Sequence, residues 1–263
     1  MTLSQGQNSN LNFDAVIFMT PEAPKNDSGG RKIILTDMLI LISIIGKENI
    51  CYIGPEKPSD IEGLCLAQNY SLATNIKKTL KLRTTGFGSE YKKICFFLSR
   101  IAQKMRNKRI LFFIEHTRLG FLAPMIKRIF PDRSIVIFNA HNVEFDYMRQ
   151  DSQHPIKWAS AYHAEKLAHH FADLIYAPSL QDLKRHKLLY KNGKAKVKLL
   201  TFALPRYSAI KNESFQKNKK ELIAIFPGQL NIKHNIEAAI MILDIIAPRI
   251  QQIGRNIKFI LIG

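Results

Sequence analysis

Cysteine is scarce in this chain of 263 residues: Cys51, Cys65 and Cys95 make an odd set without CxxC spacing. That excludes a disulfide framework and a cysteine zinc knuckle, and it fits a reducing compartment. Acidic residues are also in short supply. Against 39 Lys and Arg stand 21 Asp and Glu, a formal net charge of +18 at pH 7. Such a surplus fits a lysine-rich, solvated surface and equally an attraction to anionic lipid, phosphorylated ligands or nucleic acid. Long hydrophobic runs are missing. The greasiest stretch, "IILTDMLILISIIG" (33–46), is shorter than the ~20 residues of a bilayer span and carries Asp37, so a buried helix is expected. The first ten residues, "MTLSQGQNSN", lack the basic-then-apolar order of a signal peptide. Neither GxGxxG, a Walker lysine loop nor a GxSxG elbow occurs, which disfavours dehydrogenase, P-loop NTPase and serine-hydrolase chemistry.

What the chain does have is alternation. Apolar residues make up 46% and charged residues 23%, the balance of a folded protein. Short apolar runs predict strands at 13–20, 48–54, 109–116, 134–139, 173–179 and 196–204, with helices predicted at 30–46, 90–106, 121–130, 158–171 and 180–190. Strands alternating with helices imply an α/β fold with a Rossmann-like, doubly wound parallel sheet and right-handed crossovers. Residues 1–206 form that first domain. The polar, basic stretch 207–220, "YSAIKNESFQKNKK", reads as a linker, and 221–263 restarts as strand, helix (236–250) and strand. A βαβ unit ending on its second strand leaves a sheet face uncovered, so this second Rossmann-like domain is expected to be incomplete and the chain a fragment.

In an open α/β sheet, ligands bind at the carboxyl ends of strands and at helix N-termini. Four segments fall there. "SGGRK" places Gly29, Gly30 and Arg31 at a helix start, either as a ligand loop or as a tight turn. "EHTRLG" ends a strand with Glu115, His116 and Arg118; "NAHNVE" ends another with Asn139, His141, Asn142 and Glu144. "YAPS" puts Ser179 where a helix cap belongs. Glu165 and His169 stand four apart on a helix, but without HExxH or a third ligand no metal site is expected, and the pair reads as a polar helix face. "NIKKTLKLR" (75–83) interleaves lysines with Ile76, Leu80 and Leu82, either a solvated face or a surface for anionic membrane. Nucleic acid is disfavoured, since the basic residues are scattered and no RRM, KH or helix-turn-helix pattern accompanies them.

The order of these pieces resembles the nucleotide-sugar-dependent glycosyltransferases of the GT-B fold, in the large retaining, family 4-like group. "SGGRK" is similar to the Gly-Gly loop after the first strand, "HNVE" to a strand-end His-Asn-x-Glu, "EKLAHHFADLIYAPS" to the helix leading into Ala-Asp, a strand and Ser. "IFPGQLNIKHNIEAAIMILDIIAPRI" is similar to the entry of the second domain. The resemblance implies a sugar moved from a nucleotide-sugar donor to a glycan or lipid-linked acceptor, without cofactor or metal. His141 would face the transferred sugar as the catalytic residue. Gly29, Gly30, Arg31, His116, Arg118, Asn142 and Glu144 would line the acceptor and donor loop, and Gly228 and Lys233 the donor side. Two departures stand out: Gln229 and His234 occupy positions where the family often carries cations. The family's nucleotide pocket would lie beyond Gly263, so the chain alone is expected to be inactive. Alternatively it is a non-catalytic half that pairs with a separate donor-domain chain. The resemblance places it in the cytoplasm, peripheral on the inner face of the membrane.

Overall fold

Apolar runs of four to six residues become strands, and their side chains are taken up alternately by the two faces of one sheet. The computed structural model describes residues 13–22, 24, 29–54, 61, 65–69, 89–151, 154–201, 222–228, 230 and 233–262. It divides into two units, Met1–Pro205 and Arg206–Gly263. The first holds β1 (Ala15–Met19), α1 (Gly29–Ile45), β2 (Ile50–Gly54), β3 (Cys65–Asn69), α2 (Ser89–Lys104), β4 (Ile110–Glu115), α3 (Leu122–Ile129) and β5 (Ser134–Asn139). It continues through α4 (Glu144–Asp151), α5 (Pro155–Phe171), β6 (Leu174–Ala177), α6 (Leu180–Leu189) and β7 (Lys196–Leu199). The second holds β8 (Leu222–Pro227), α7 (Lys233–Met241), a π-helical turn (Ile242–Ile246), α8 (Ala247–Gln252) and β9 (Ile257–Ile262).

The first unit is a seven-stranded sheet in the order β3-β2-β1-β4-β5-β6-β7. Every pairing is parallel. Alternation along β1 sends Ile17 and Met19 into one core and Val16 and Phe18 into the other. The first core is closed by Ile94, Leu98 and Ile101 of α2 and by Leu122, Met125 and Ile126 of α3. The second is closed by Ile34 and Met38 of α1, beside Phe18 stacked on Phe113 at 5.6 Å. Each fully buried Phe or Ile here contributes about 1.5–3 kcal/mol of transfer free energy. Strand order reverses between β1 and β4, which makes their carboxyl ends the topological switch point.

Four expectations need correction. The helix of residues 30–46 is not buried all round: Leu39, Ile40 and Ile44 are exposed, because only the Ile34–Met38 side meets the sheet. Strand β3 was not foreseen, since "CLAQN" has no apolar run. Helix α4 was likewise not foreseen, because "EFDYMRQD" is polar and carries little helical periodicity. The single helix expected at 236–250 is α7, a π turn and α8. Pro248 has no N–H to return to residue 244, and the Ala247 N–H bonds Ile242 O in the wider π pattern. Stretch 75–83, the linker 207–220 and Gln229 lie outside the described residues.

In the second unit β8 and β9 pair in parallel from Leu222↔Ile257 to Pro227↔Ile262. Leu222, Ile223 and Ile225 of β8 and Ile262 of β9 are exposed. Among the described residues no helix is long and apolar enough to cross a membrane.

Candidate functional site

Strands β4 and β5 finish in register, with Glu115 opposite Asn139, so the polar residues that follow each strand meet at the switch point. His116 leaves β4 with a positive φ of 67°, a backbone region that costs a non-glycine residue on the order of 1–3 kcal/mol. The strain is held in place by its own N–H donating to Asn139 O at 2.9 Å. A 3-10 turn, Thr117–Leu119, then brings Arg118 back toward the end of β1, where its guanidinium donates to Glu22 Oε1 at 2.5 Å.

The two histidines of the sequence motifs touch with their rings tilted by 33°, centroids 3.9 Å apart. Each has its own carboxyl. His141 Nε2 is 2.8 Å from Glu115 Oε2, and His116 Nδ1 is 3.1 Å from Glu144 Oε1. Both rings are neutral near pH 7. Burial pushes His141 down to about 4 and His116 well below its ordinary value, in the latter case helped by His141 and Arg118. Burial acts on the carboxyls in the opposite direction, raising Glu115 to about 8 and Glu144 above the usual carboxylate range. Asp37 on α1 joins the cluster through Asn139 and is likewise pushed up to about 8 by burial and the neighbouring Glu115.

Behind this pair sits Glu165 of α5, fully buried, whose carboxylate takes four donors. Thr117 Oγ1 (2.8 Å), the N–H groups of Glu144 (2.9 Å) and Phe145 (3.0 Å), and Tyr190 Oη (2.6 Å) all donate to it. It therefore caps the N-terminus of α4 from another helix, although burial raises its pKa. Gly120 is what lets α5 come so close: a Cβ there would lie 1.8 Å from Ala164 O. Glu165 and His169 are thus not the solvated polar face the sequence suggested; both are buried, and His169 Nε2 lies 3.0 Å from His186 Nδ1. Among the described residues no group of three His, Cys, Asp or Glu is arranged to hold a metal ion.

Of the residues singled out in the sequence, His116, Arg118, His141 and Glu144 come together with Glu115 and Asn139. Asn142 follows directly; its buried Oδ1, like His116 Nε2, has no partner among the described residues. Gly29 and Gly30 open α1, where a Cβ on Gly30 would meet open space, and Arg31 follows in its first turn. Gly228 and Lys233 belong to the second unit; Gly228 N–H donates to Ile262 O at 2.8 Å, and Lys233 begins α7. Ser179 caps α6 by accepting the Asp182 N–H at 3.0 Å. Sequence reasoning missed Glu22, Asp37, Thr117, Glu165 and Tyr190 as members. A lone carboxylate inside an apolar helix, as at Asp37, was the available signal.

No protein-family model and no curated protein matches the chain. Among solved structures, a sucrose-phosphate synthase from Thermosynechococcus elongatus superposes with a TM-score of 0.58 at 13% identity, over 95% of this chain and 71% of its own. The N-terminal domain of a trehalose-6-phosphate phosphatase from Candida albicans gives 0.49 at 12% identity, over 97% and 74%. An α,α-trehalose 6-phosphate synthase from Burkholderia multivorans gives 0.45 at 11%, over 96% and 73%. The first of these likenesses, together with the sheet order, establishes the fold as Rossmann-like α/β of the GT-B type.

Proposed function

We propose that the cluster at the ends of β4 and β5 binds the hydroxyl groups of a sugar, and that the chain takes part in glycosyl transfer from a nucleotide-sugar donor. The observation that carries this is the convergence of two neutral histidines in ring contact, each on its own buried carboxyl, at the switch point of the sheet. Neutral imidazoles and buried carboxyls offer short donors and acceptors that match hydroxyls. A diphosphate needs cations or helix N–H donors instead, and the guanidinium at the cluster, Arg118, is already engaged by Glu22. His141 would orient the transferred sugar, with His116, Asn142 and Glu144 beside it. Gly29, Gly30 and Arg31 would admit the acceptor, a glycan or lipid-linked sugar. Leaving-group stabilisation would fall to the Gly228 and Lys233 side, in a domain division at 206/207 with a linker to residue 220. The GT-B type fold of the sucrose-phosphate synthase neighbour supports the reading.

Saturation-transfer NMR with monosaccharides and nucleotide sugars, on the wild type and on His141→Ala, tests it. Sugar-proton saturation that His141→Ala abolishes is the expected result; saturation confined to the nucleotide, or untouched by the substitution, overturns it. Docking on anionic membrane through residues 75–83 belongs to the same proposal, and equal sedimentation with anionic and neutral vesicles would remove it. The exposed apolar side chains of β8 and β9 favour a second reading, a binding half completed by a separate donor-domain chain. Transfer activity appearing only when such a chain is added would support that reading.

A further inference from the structure

Asp37 sits in the middle of the apolar helix α1, yet its carboxylate meets the end of β5, where Asn139 Nδ2 donates to Oδ2 at 2.7 Å. The same amide nitrogen carries a second hydrogen and reaches Glu115 Oε2 at 3.2 Å. His141 Nε2 approaches that oxygen at 2.8 Å. Glu115 is fully buried, and its other oxygen, Oε1, has no N–H or hydroxyl donor among the described residues. One nitrogen, Asn139 Nδ2, thus gathers an oxygen of each carboxyl within 3.2 Å of itself. Two carboxylates so close in a dry site cannot both ionise. A single proton held between Glu115 and Asp37 satisfies the otherwise orphaned oxygen. Oε2 is then an acceptor for both Asn139 and His141, which puts the histidine proton on Nε2 and makes Nδ1 an acceptor.

We propose that Asp37, Asn139 and Glu115 form a buried relay that shares one proton between the two carboxyls and fixes His141 as its Nε2–H tautomer. Asp37 is thereby a positioning residue: it sets the hydrogen-bonding character of His141 without touching a ligand. The functional consequence rests on the reading of His141 as the sugar-facing residue; the relay does not. Among the described residues, the groups facing His141 include Glu22 after β1, Asp37 on α1, Glu115, His116 and Arg118 at the end of β4, and Glu144 on α4. Any change in its titration must therefore be compared with variants of those neighbours.

The test is NMR on the full chain. Long-range ¹H–¹⁵N spectra at pH 7, with His141 identified by its loss in His141→Gln, are expected to show a pure Nε2–H tautomer. Carboxyl ¹³C titration is expected to show one proton retained by the Asp37–Glu115 pair at that pH. In Asp37→Asn, Glu115 stays neutral through burial and the negative charge that favours protonated His141 is lost. His141 then protonates at a pH at least one unit lower, and Asp37→Glu restores the wild-type titration. An Nδ1–H tautomer, two ordinary carboxylates at pH 7, or an Asp37→Asn protein whose His141 titrates as in wild type would each overturn the relay. Should Asp37→Asn fail to fold, the two wild-type measurements decide alone. Neither readout needs catalysis, so a relay that holds in a protein that binds no sugar would refute the sugar reading and leave this one standing.

Discussion

The two units use the same βαβ grammar to opposite effect. In the first, β1 and β4 are buried along their whole length, each sandwiched between α1 on one side and α2 and α3 on the other. In the second, β8 pairs with β9 over six residues, yet Leu222, Ile223 and Ile225 stand in the open, Ile225 at 59% exposure. Backbone pairing alone therefore does not make a core; a parallel strand is stabilised only when layers close on both of its faces. The candidate site belongs to the covered sheet, since the histidine cluster is built on the ends of β4 and β5.

The contrast can be broken most forcefully at Phe112, which is fully buried against Phe130. Phe112→Ala is expected to cost about 3–5 kcal/mol, read as a shift in the urea midpoint of the first unit. Next comes Glu165→Ala, which orphans four donors at once and is expected to cost about 3 kcal/mol. In the same variant, sugar binding should weaken along with stability, because α4 and the Thr117 turn lose their common anchor. Glu165→Gln, which keeps acceptor capacity but no charge, is expected to be milder in both respects.

A smaller effect is expected from pH. His169 and His141 are held down to about 3 and about 4 by burial, so the unfolded chain takes up protons first as pH falls below 6.5, and stability drops there. The Asp37–Glu115 pair is held up to about 8, so the folded state keeps a proton that the unfolded state has released, and stability drops again as pH rises toward 8. Melting temperature should thus peak near pH 6.5; a flat profile from pH 5 to 8 would contradict the neutral cluster. Smallest of all is Ile225→Ala, expected within about 0.5 kcal/mol. A loss of several kcal/mol there would mean that β8 is covered in solution and would erase the difference between the units.

Much of the frame was legible because fully buried parallel strands must be apolar runs: "AVIFM" and "ILFFIE" admit few other readings. The edge strand β3, "CLAQN", left no such trace. Helix α4 was illegible for a different reason: its N-terminus is secured by Glu165, residues away in sequence, so no local capping box announces it. His116, His141 and Glu144 were legible as strand-end polar residues, and the structure brings them together. The carboxyls that support them from other helices were not. Asp37 looked like a lone charge that argued against a membrane span, and Glu165 like one polar residue on a wet helix face, because one-dimensional spacing records neither depth nor which neighbour a carboxylate will meet.

Glu165 also bears on the order in which the molecule can come into being. Its donors run from Thr117 through Glu144 and Phe145 to Tyr190, so a growing polypeptide carries the turn after β4 long before it carries the hydroxyl that completes that turn's support. Until Tyr190 has left the ribosome, the histidine pair rests on an anchor short of one tether. The support behind the cluster is therefore complete only once the chain has been made as far as Tyr190.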